Sequence, residues 1–142
     1  MHTIAHVLAT KGPTVWAVSP DATVYEALQQ MAAHNVGALL IIEGGAPVGI
    51  ISERDYARKI VLQGRSSLDT RVRAVMTTPL ASCPSTRTID AAMALMTRAR
   101  VRHLPVIDDG RLLGLISIGD LVKARIADQQ FTIDQLEQYI AT

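Results

Sequence analysis

The chain writes one short phrase twice. GIISERD runs from Gly49 to Asp55 and GLISIGD from Gly114 to Asp120, a displacement of 65 positions in a chain of 142. The same displacement pairs Thr23 with Thr88, Ala27 with Ala92, Met31 with Met96, Val36 with Val101, Leu39 with Leu104 and Gly45 with Gly110. One structural unit is therefore built twice. An open solenoid needs about three repeats to stay folded, so two copies are expected to close on each other with pseudo-two-fold symmetry.

Each copy has the same internal plan. Val24, Ala27, Leu28 and Met31 fall at i, i+3, i+4 and i+7, as do Ile89, Ala92, Met93 and Met96, and this spacing predicts one helix with one buried stripe per copy. ALLIIE and HLPVID follow, then Gly44-Gly45 or Asp109-Gly110, a pair suited to a two-residue turn, then PVGIIS and LLGLIS. These read as strand hairpins whose nearly unbroken aliphatic character asks for cover on both faces. A short leading strand, VWAV or LASC, precedes each helix, and further helices are expected in DYARKIVL and DLVKARIA. Residues Gln63 to Val75 read as the connection between copies. Thr132 and Gln135 have the spacing of a capping box for a separate last helix bearing Ile133, Leu136 and Ile140. The fold class is α/β in the mixed α+β sense: two tandem β-α-β-β-α repeats with flanking terminal helices. The division by sequence is 1–68, the N-terminal helix with repeat 1, and 69–142, repeat 2 with the C-terminal helix.

Composition narrows the function classes. With 49% hydrophobic and 19% charged residues the chain suits a folded, soluble protein, and a net charge of +1 supplies no global field for nucleic acid or acidic lipid. The apolar run Val36 to Ile42 is far short of the ~20 residues that span a bilayer. A lone cysteine, Cys83, allows no internal disulfide, and MHTIAHVLATKG lacks the apolar core of a secretory signal, so a cytoplasmic protein without membrane contact is expected. There is no G-x-x-x-x-G-K-[ST] loop, Cys83 has no evident histidine and acid partners, and His2, His6, His34 and His103 form no metal-ligand pattern. No enzyme is expected. A DNA-binding role would rest on TRARVRH with Arg71 and Arg73, against a near-neutral charge and 4% aromatics.

The order strand, helix, strand, strand, helix, written twice with G-h-h-S-x-x-D closing each hairpin and VGALLII or VRHLPVI upstream, resembles a tandem cystathionine β-synthase (CBS) domain pair, or Bateman module. The resemblance covers about Val15 to Ala127. It implies a stand-alone bacterial-type signal-transduction protein that senses an adenine-containing nucleotide such as AMP, ATP, NAD(H) or S-adenosylmethionine as a regulatory ligand, with no catalytic cofactor. It also implies a homodimer, four repeats in a flat disc, and leaves room for a protein effector that the sequence does not identify. The terminal helices offer dimer contacts through Ile4, Val7 and Leu8 or through Ile133, Leu136 and Ile140.

The resemblance places ribose and phosphate contacts at Ser52 and Asp55 and at Ser117 and Asp120. Chemically, a carboxylate accepts from both hydroxyls of a sugar diol, and a serine hydroxyl donates to a phosphate or sugar oxygen at a helix N-terminus. S-x-x-D at a helix start is also a self-sufficient cap, and the two roles can coexist. Arg102 and His103 suit a phosphate through the guanidinium fork and a neighbouring imidazole, or else belong to a solvated basic stretch. Repeat 1 has Gly37 and Ala38 there, so the pockets are expected to differ, with tighter binding in the second. Arg54 is a further phosphate candidate, or a free arginine on the first helical turn. For the adenine the resemblance implies walls at Thr14, Val15 and Trp16 on one side and Ala81 and Ser82 on the other, Trp16 alternatively filling a core or interface gap. A purely structural dimerisation module and a nucleic-acid-associated regulator stand as the competing functions.

Overall fold

The computed structural model describes residues 2–141. It is a mixed α+β protein, and its chain groups into two compact units: Val15–Ala81, and the residues up to Thr14 together with those from Ser82 onward.

In the first-repeat unit, Thr23 caps α2 (Val24–His34) by accepting from the Glu26 amide at 3.1 Å, and Asn35 ends it in the left-handed conformation. The predicted stripe is inside: Val24, Ala27 and Met31 are buried, with Leu28 against the same core. Strands β2 (Ala38–Glu43) and β3 (Ala46–Ser52) pair antiparallel across Gly44-Gly45, whose positive φ angles of 60° and 80° fit a two-residue hairpin. A short β1 (Ala17–Val18) lies parallel to β2 on its other side. Ala38 to Ile41 are buried without alternation, as strands covered on both faces require.

The second-repeat unit repeats this construction. Thr88 caps α4 (Ile89–Ala99) by accepting from the Ala91 amide at 3.1 Å, Arg100 takes the left-handed terminal position, and Ile89, Ala92 and Met96 are buried. Strands β4 (His103–Asp108) and β5 (Arg111–Ser117) form the second hairpin around Asp109-Gly110. Both hairpins carry an irregularity at the same place, between Ile41 and Ile42 and between Val106 and Ile107.

Several expectations are corrected. LASC forms no leading strand: only Cys83 bridges Val106, because Pro105 lacks the amide that the next rung toward Ala81 would need. The helix in DYARKIVL begins as α3 (Glu53–Asp55) and widens into a π-helical turn over Tyr56–Val61, where Leu62 donates to the Ala57 carbonyl five residues back. The supposed connection after Gln63 is partly core: Val72 and Val75 are buried, the Val72 amide donates to the Ala22 carbonyl at 2.8 Å, and Arg73 joins Asp21 and Glu43. No separate last helix starts at Thr132. Nothing between Ile118 and Ala141 breaks the helix, so α5 (Ile118–Ala141) runs through, and the Thr132 hydroxyl donates to the Asp128 carbonyl at 3.1 Å inside it.

The compact units also differ from a sequential division at 68/69. A Cβ on Gly49 would stand 3.0 Å from the Met76 sulfur and from the Thr77 carbonyl oxygen, so residues 72–77 lie tight against the first hairpin. On Gly114 it would stand 2.7 Å from Leu8 Cδ2, so the N-terminal helix α1 (Ile4–Lys11) covers the second hairpin. The Ile4 amide donates to the Arg87 carbonyl at 2.8 Å, and Ile4 and Val7 are buried. Each repeat is thus completed by the segment that precedes the other. This removes Ile4 and Val7 from the candidate dimer contacts, and Leu8, packed on Gly114, goes with them.

Candidate functional site

The first turn of α5 starts from a reciprocal cap. The Asp120 amide donates to Ser117 Oγ at 3.1 Å, and the Ser117 amide returns a bond to Asp120 Oδ2 at 2.8 Å. Strand register sets His103 opposite Ser117, and the Ile118 amide donates to the Arg102 carbonyl at 2.8 Å. The second-repeat unit therefore gathers Arg102, His103, Ser117 and Asp120 at the open end of one hairpin. Arg102 is exposed and in no ion pair among the described residues.

Sequence reasoning missed the cation. Lys11, the last residue of α1, places its ammonium 2.7 Å from Asp120 Oδ2 and donates to the Leu115 carbonyl at 2.7 Å. It is 109 positions from Asp120, and no local pattern pointed to it. The Lys11 ammonium and the Ser117 amide both bond Oδ2 of Asp120, and the side chain keeps 20% of its surface exposed. It faces a groove of about 580 Å³ between α1 and α5, lined also by His6, Lys11, Lys123 and Ala124. Burial pushes the Asp120 carboxyl up, but the Lys11 ammonium and the Ser117 amide more than offset it and hold it below the ordinary 3.8.

That depressed value fixes a pH dependence. A carboxyl with a lowered folded-state pKa contributes stability above its unfolded value, and loses it as pH falls through the folded value. Asp120→Asn is expected to cost about 0.5–1 kcal/mol at pH 6, since the pair is partly exposed and screened. The difference from wild type closes below pH 3.8, the ordinary carboxylate value. Melting temperature against pH from 7 to about 3 for both proteins checks this.

Ser52 and Asp55 form the same cap in the first-repeat unit, with Asp55 Oδ2 accepting from the Ser52 amide at 2.9 Å and hydroxyl at 3.1 Å. Its surroundings differ. Oδ1 accepts from Thr77 Oγ1 at 3.1 Å and faces the Lys59 ammonium at 3.0 Å, and the residue is 8% exposed. Both oxygens are occupied, so the two aspartates differ in their surroundings. Lys59, at i+4 from Asp55, was the one signal the sequence offered for this pair. Its counterpart at the 65-residue offset is Ala124, which is why the second unit takes its lysine from α1.

The remaining candidates divide between the units. Arg54, Val15, Trp16 and Ala81 belong to the first-repeat unit; Thr14 and Ser82 belong to the second. Trp16 fills no core gap: it is 40% exposed, with its ring stacked on His34 at a centroid distance of 3.5 Å. Thr14 and Ser82 are exposed, and Arg54, Val15 and Ala81 are half-buried. Among the described residues, no group of three or more His, Cys, Asp or Glu is placed to hold a metal ion, and no helix is long and apolar enough to cross a membrane.

Comparison with known proteins bears on the two repeats. The family model described as "CBS domain" matches twice, over residues 7–62 and 72–127. The "CBS domain-containing protein CBSX3, mitochondrial" of Arabidopsis thaliana is 42% identical over 97% of this chain and 71% of its own length. The CBS domain-containing protein YhcV of Bacillus subtilis is 34% identical over 89% of each. A solved protein with CBS domains from Burkholderia ambifaria superposes with a TM-score of 0.86 at 51% identity, covering 93% of this chain and 99% of that one. The CBS domain pair of protein MJ0100 shares the fold at 20% identity and a TM-score of 0.79, over 90% and 98% of the two chains.

Proposed function

The chain belongs to the CBS-domain family, as a tandem pair of those domains, and from that premise we propose that it is a regulatory sensor for an adenine-containing nucleotide of the AMP, ATP or NAD(H) type. The observation that carries this is Asp120: a carboxylate capped against Ser117, bonded through Oδ2 and facing a groove, at the same end of the hairpin as the exposed Arg102. Its carboxylate suits a ribose hydroxyl, and Arg102 with His103 suits a phosphate. The MJ0100 pair was solved in complex with 5′-methylthioadenosine and S-adenosyl-L-methionine, which supports an adenosine ligand here. Lys11 is the cation that an incoming diol shares Asp120 with or replaces.

Ser52, Asp55 and Arg54 form the weaker counterpart, since Asp55 is already saturated; the candidates for adenine contacts are Val15, Trp16 and Ala81 in the first-repeat unit and Thr14 and Ser82 in the second. The role is non-catalytic and cytoplasmic, with ligand state passed on through homodimer or effector contacts. A ligand shifts such contacts only by its differential affinity for the alternative arrangements. Thermal-shift titration with AMP, ATP, NADH and S-adenosylmethionine tests the proposal. At least one is expected to raise the melting temperature in a saturable way. No rise with any of the four at millimolar concentration favours a structural dimerisation module instead.

A further inference from the structure

The first-repeat unit holds a concentration of positive charge that the nucleotide reading does not use. A pocket of about 420 Å³ is lined by Arg58, Lys59, Gln63 and Arg65 against Ala74 and Val75, with no carboxylate in its lining. Arg58 and Arg65 are exposed, and neither side chain enters an ion pair or hydrogen bond among the described residues. The backbone builds this convergence. After the π-helical turn the chain reverses at Gly64, φ 66°, with the Gly64 amide donating to the Val61 carbonyl at 3.2 Å and the Arg65 amide to the Ile60 carbonyl at 2.9 Å. These are the two bonds of a Schellman close, in which a left-handed residue, ordinarily glycine, folds the chain back over the helix end. Arg65 is thereby returned toward the turn that carries Arg58 and Lys59. The Lys59 ammonium is held by the Val75 carbonyl at 2.9 Å and by Asp55 Oδ1 at 3.0 Å.

We infer that this pocket is an anion site for a diphosphate group. Basic residues at a helix C-terminus do complement its dipole, but that end carries only about half a negative charge. Asp55 matches Lys59 alone, so the two arginines remain uncompensated. A guanidinium fork meets two oxygens of one phosphate through parallel charge-assisted hydrogen bonds, and Arg58 with Arg65 supplies two forks to one pocket. Lys59 adds a point charge and Gln63 an amide donor. The site has no copy in the second repeat: at the 65-residue offset Lys59, Gln63 and Arg65 become Ala124, Asp128 and Gln130, which removes two cations and adds a carboxylate. None of the lining residues is a nucleotide candidate, so the inference stands whether or not an adenosine ligand binds at Asp120.

Isothermal titration calorimetry of the full chain with inorganic pyrophosphate, at fixed ionic strength, tests it. Wild type is expected to bind saturably, and Arg58→Gln/Arg65→Gln at least ~30-fold more weakly, as loss of two charged donors implies. The melting temperature of that variant without pyrophosphate is expected to match wild type, because both side chains are exposed and unpaired. Arg98→Gln/Arg111→Gln removes the same charge from exposed positions in the second-repeat unit. Its effect is expected to stay under about threefold, as screening of distant exposed charges implies. ADP distinguishes the source of the diphosphate: binding weakened by Arg58→Gln/Arg65→Gln identifies a nucleotide's own, binding unmoved identifies free diphosphate, and either upholds the site. No saturable heat from pyrophosphate at millimolar concentration, or a loss in Arg58→Gln/Arg65→Gln no larger than in Arg98→Gln/Arg111→Gln, would overturn the inference.

Discussion

Asp120→Ala is expected to weaken nucleotide binding by about two orders of magnitude while leaving the fold intact. The loss follows from removing a charged acceptor of ribose hydroxyls, a hydrogen-bond type that contributes roughly 1.5–3 kcal/mol. Asp55→Ala is expected to behave in the opposite manner. Asp55 is 8% exposed and accepts from Ser52 and Thr77 beside the Lys59 ammonium. Its removal strands that network and costs about 1–3 kcal/mol of stability, with a binding loss under tenfold. Calorimetric affinities and urea midpoints for the two variants check the pair of outcomes. Equal binding losses would mean that the pockets are equivalent after all.

Ile4→Ala carries a large expected stability effect outside the hairpins. Ile4 is fully buried on α1, where it packs within the unit that contains the second repeat. Truncating a buried isoleucine removes transfer free energy and leaves a cavity, for about 2–4 kcal/mol. The position of the damage distinguishes this account from a sequential one. Amide hydrogen exchange is expected to accelerate in residues 82–127, and residues 15–81 to keep their protection. Damage confined to residues 15–68 would instead return α1 to the first repeat.

Most of the fold was legible because its signals are local and doubled. The helix stripes, the two-residue turns and the S-x-x-D caps each need only a few neighbouring residues, and the 65-residue offset read each one twice. What the sequence hid was long-range. Nothing near Lys11 shows that it will meet Asp120, and nothing near Leu8 shows that it will press on Gly114, because both contacts cross from the N-terminus to the last hairpin. Thr132 misled for the converse reason. A residue well suited to capping sat in a segment with no glycine or proline to stop the helix, and continuing α5 kept its backbone bonds. The candidate site was half legible: Ser117, Asp120, Arg102 and His103 meet in one unit, whereas the inequality of Asp55 and Asp120 came from Thr77, Lys59 and Lys11.

The most direct test of the central claim compares AMP with 2′-deoxy-AMP on the wild-type protein by isothermal titration calorimetry. A carboxylate that grips both ribose hydroxyls predicts that AMP binds and that the deoxy analogue binds at least ~10-fold more weakly. Equal affinity for the two, or heat from neither, would contradict it.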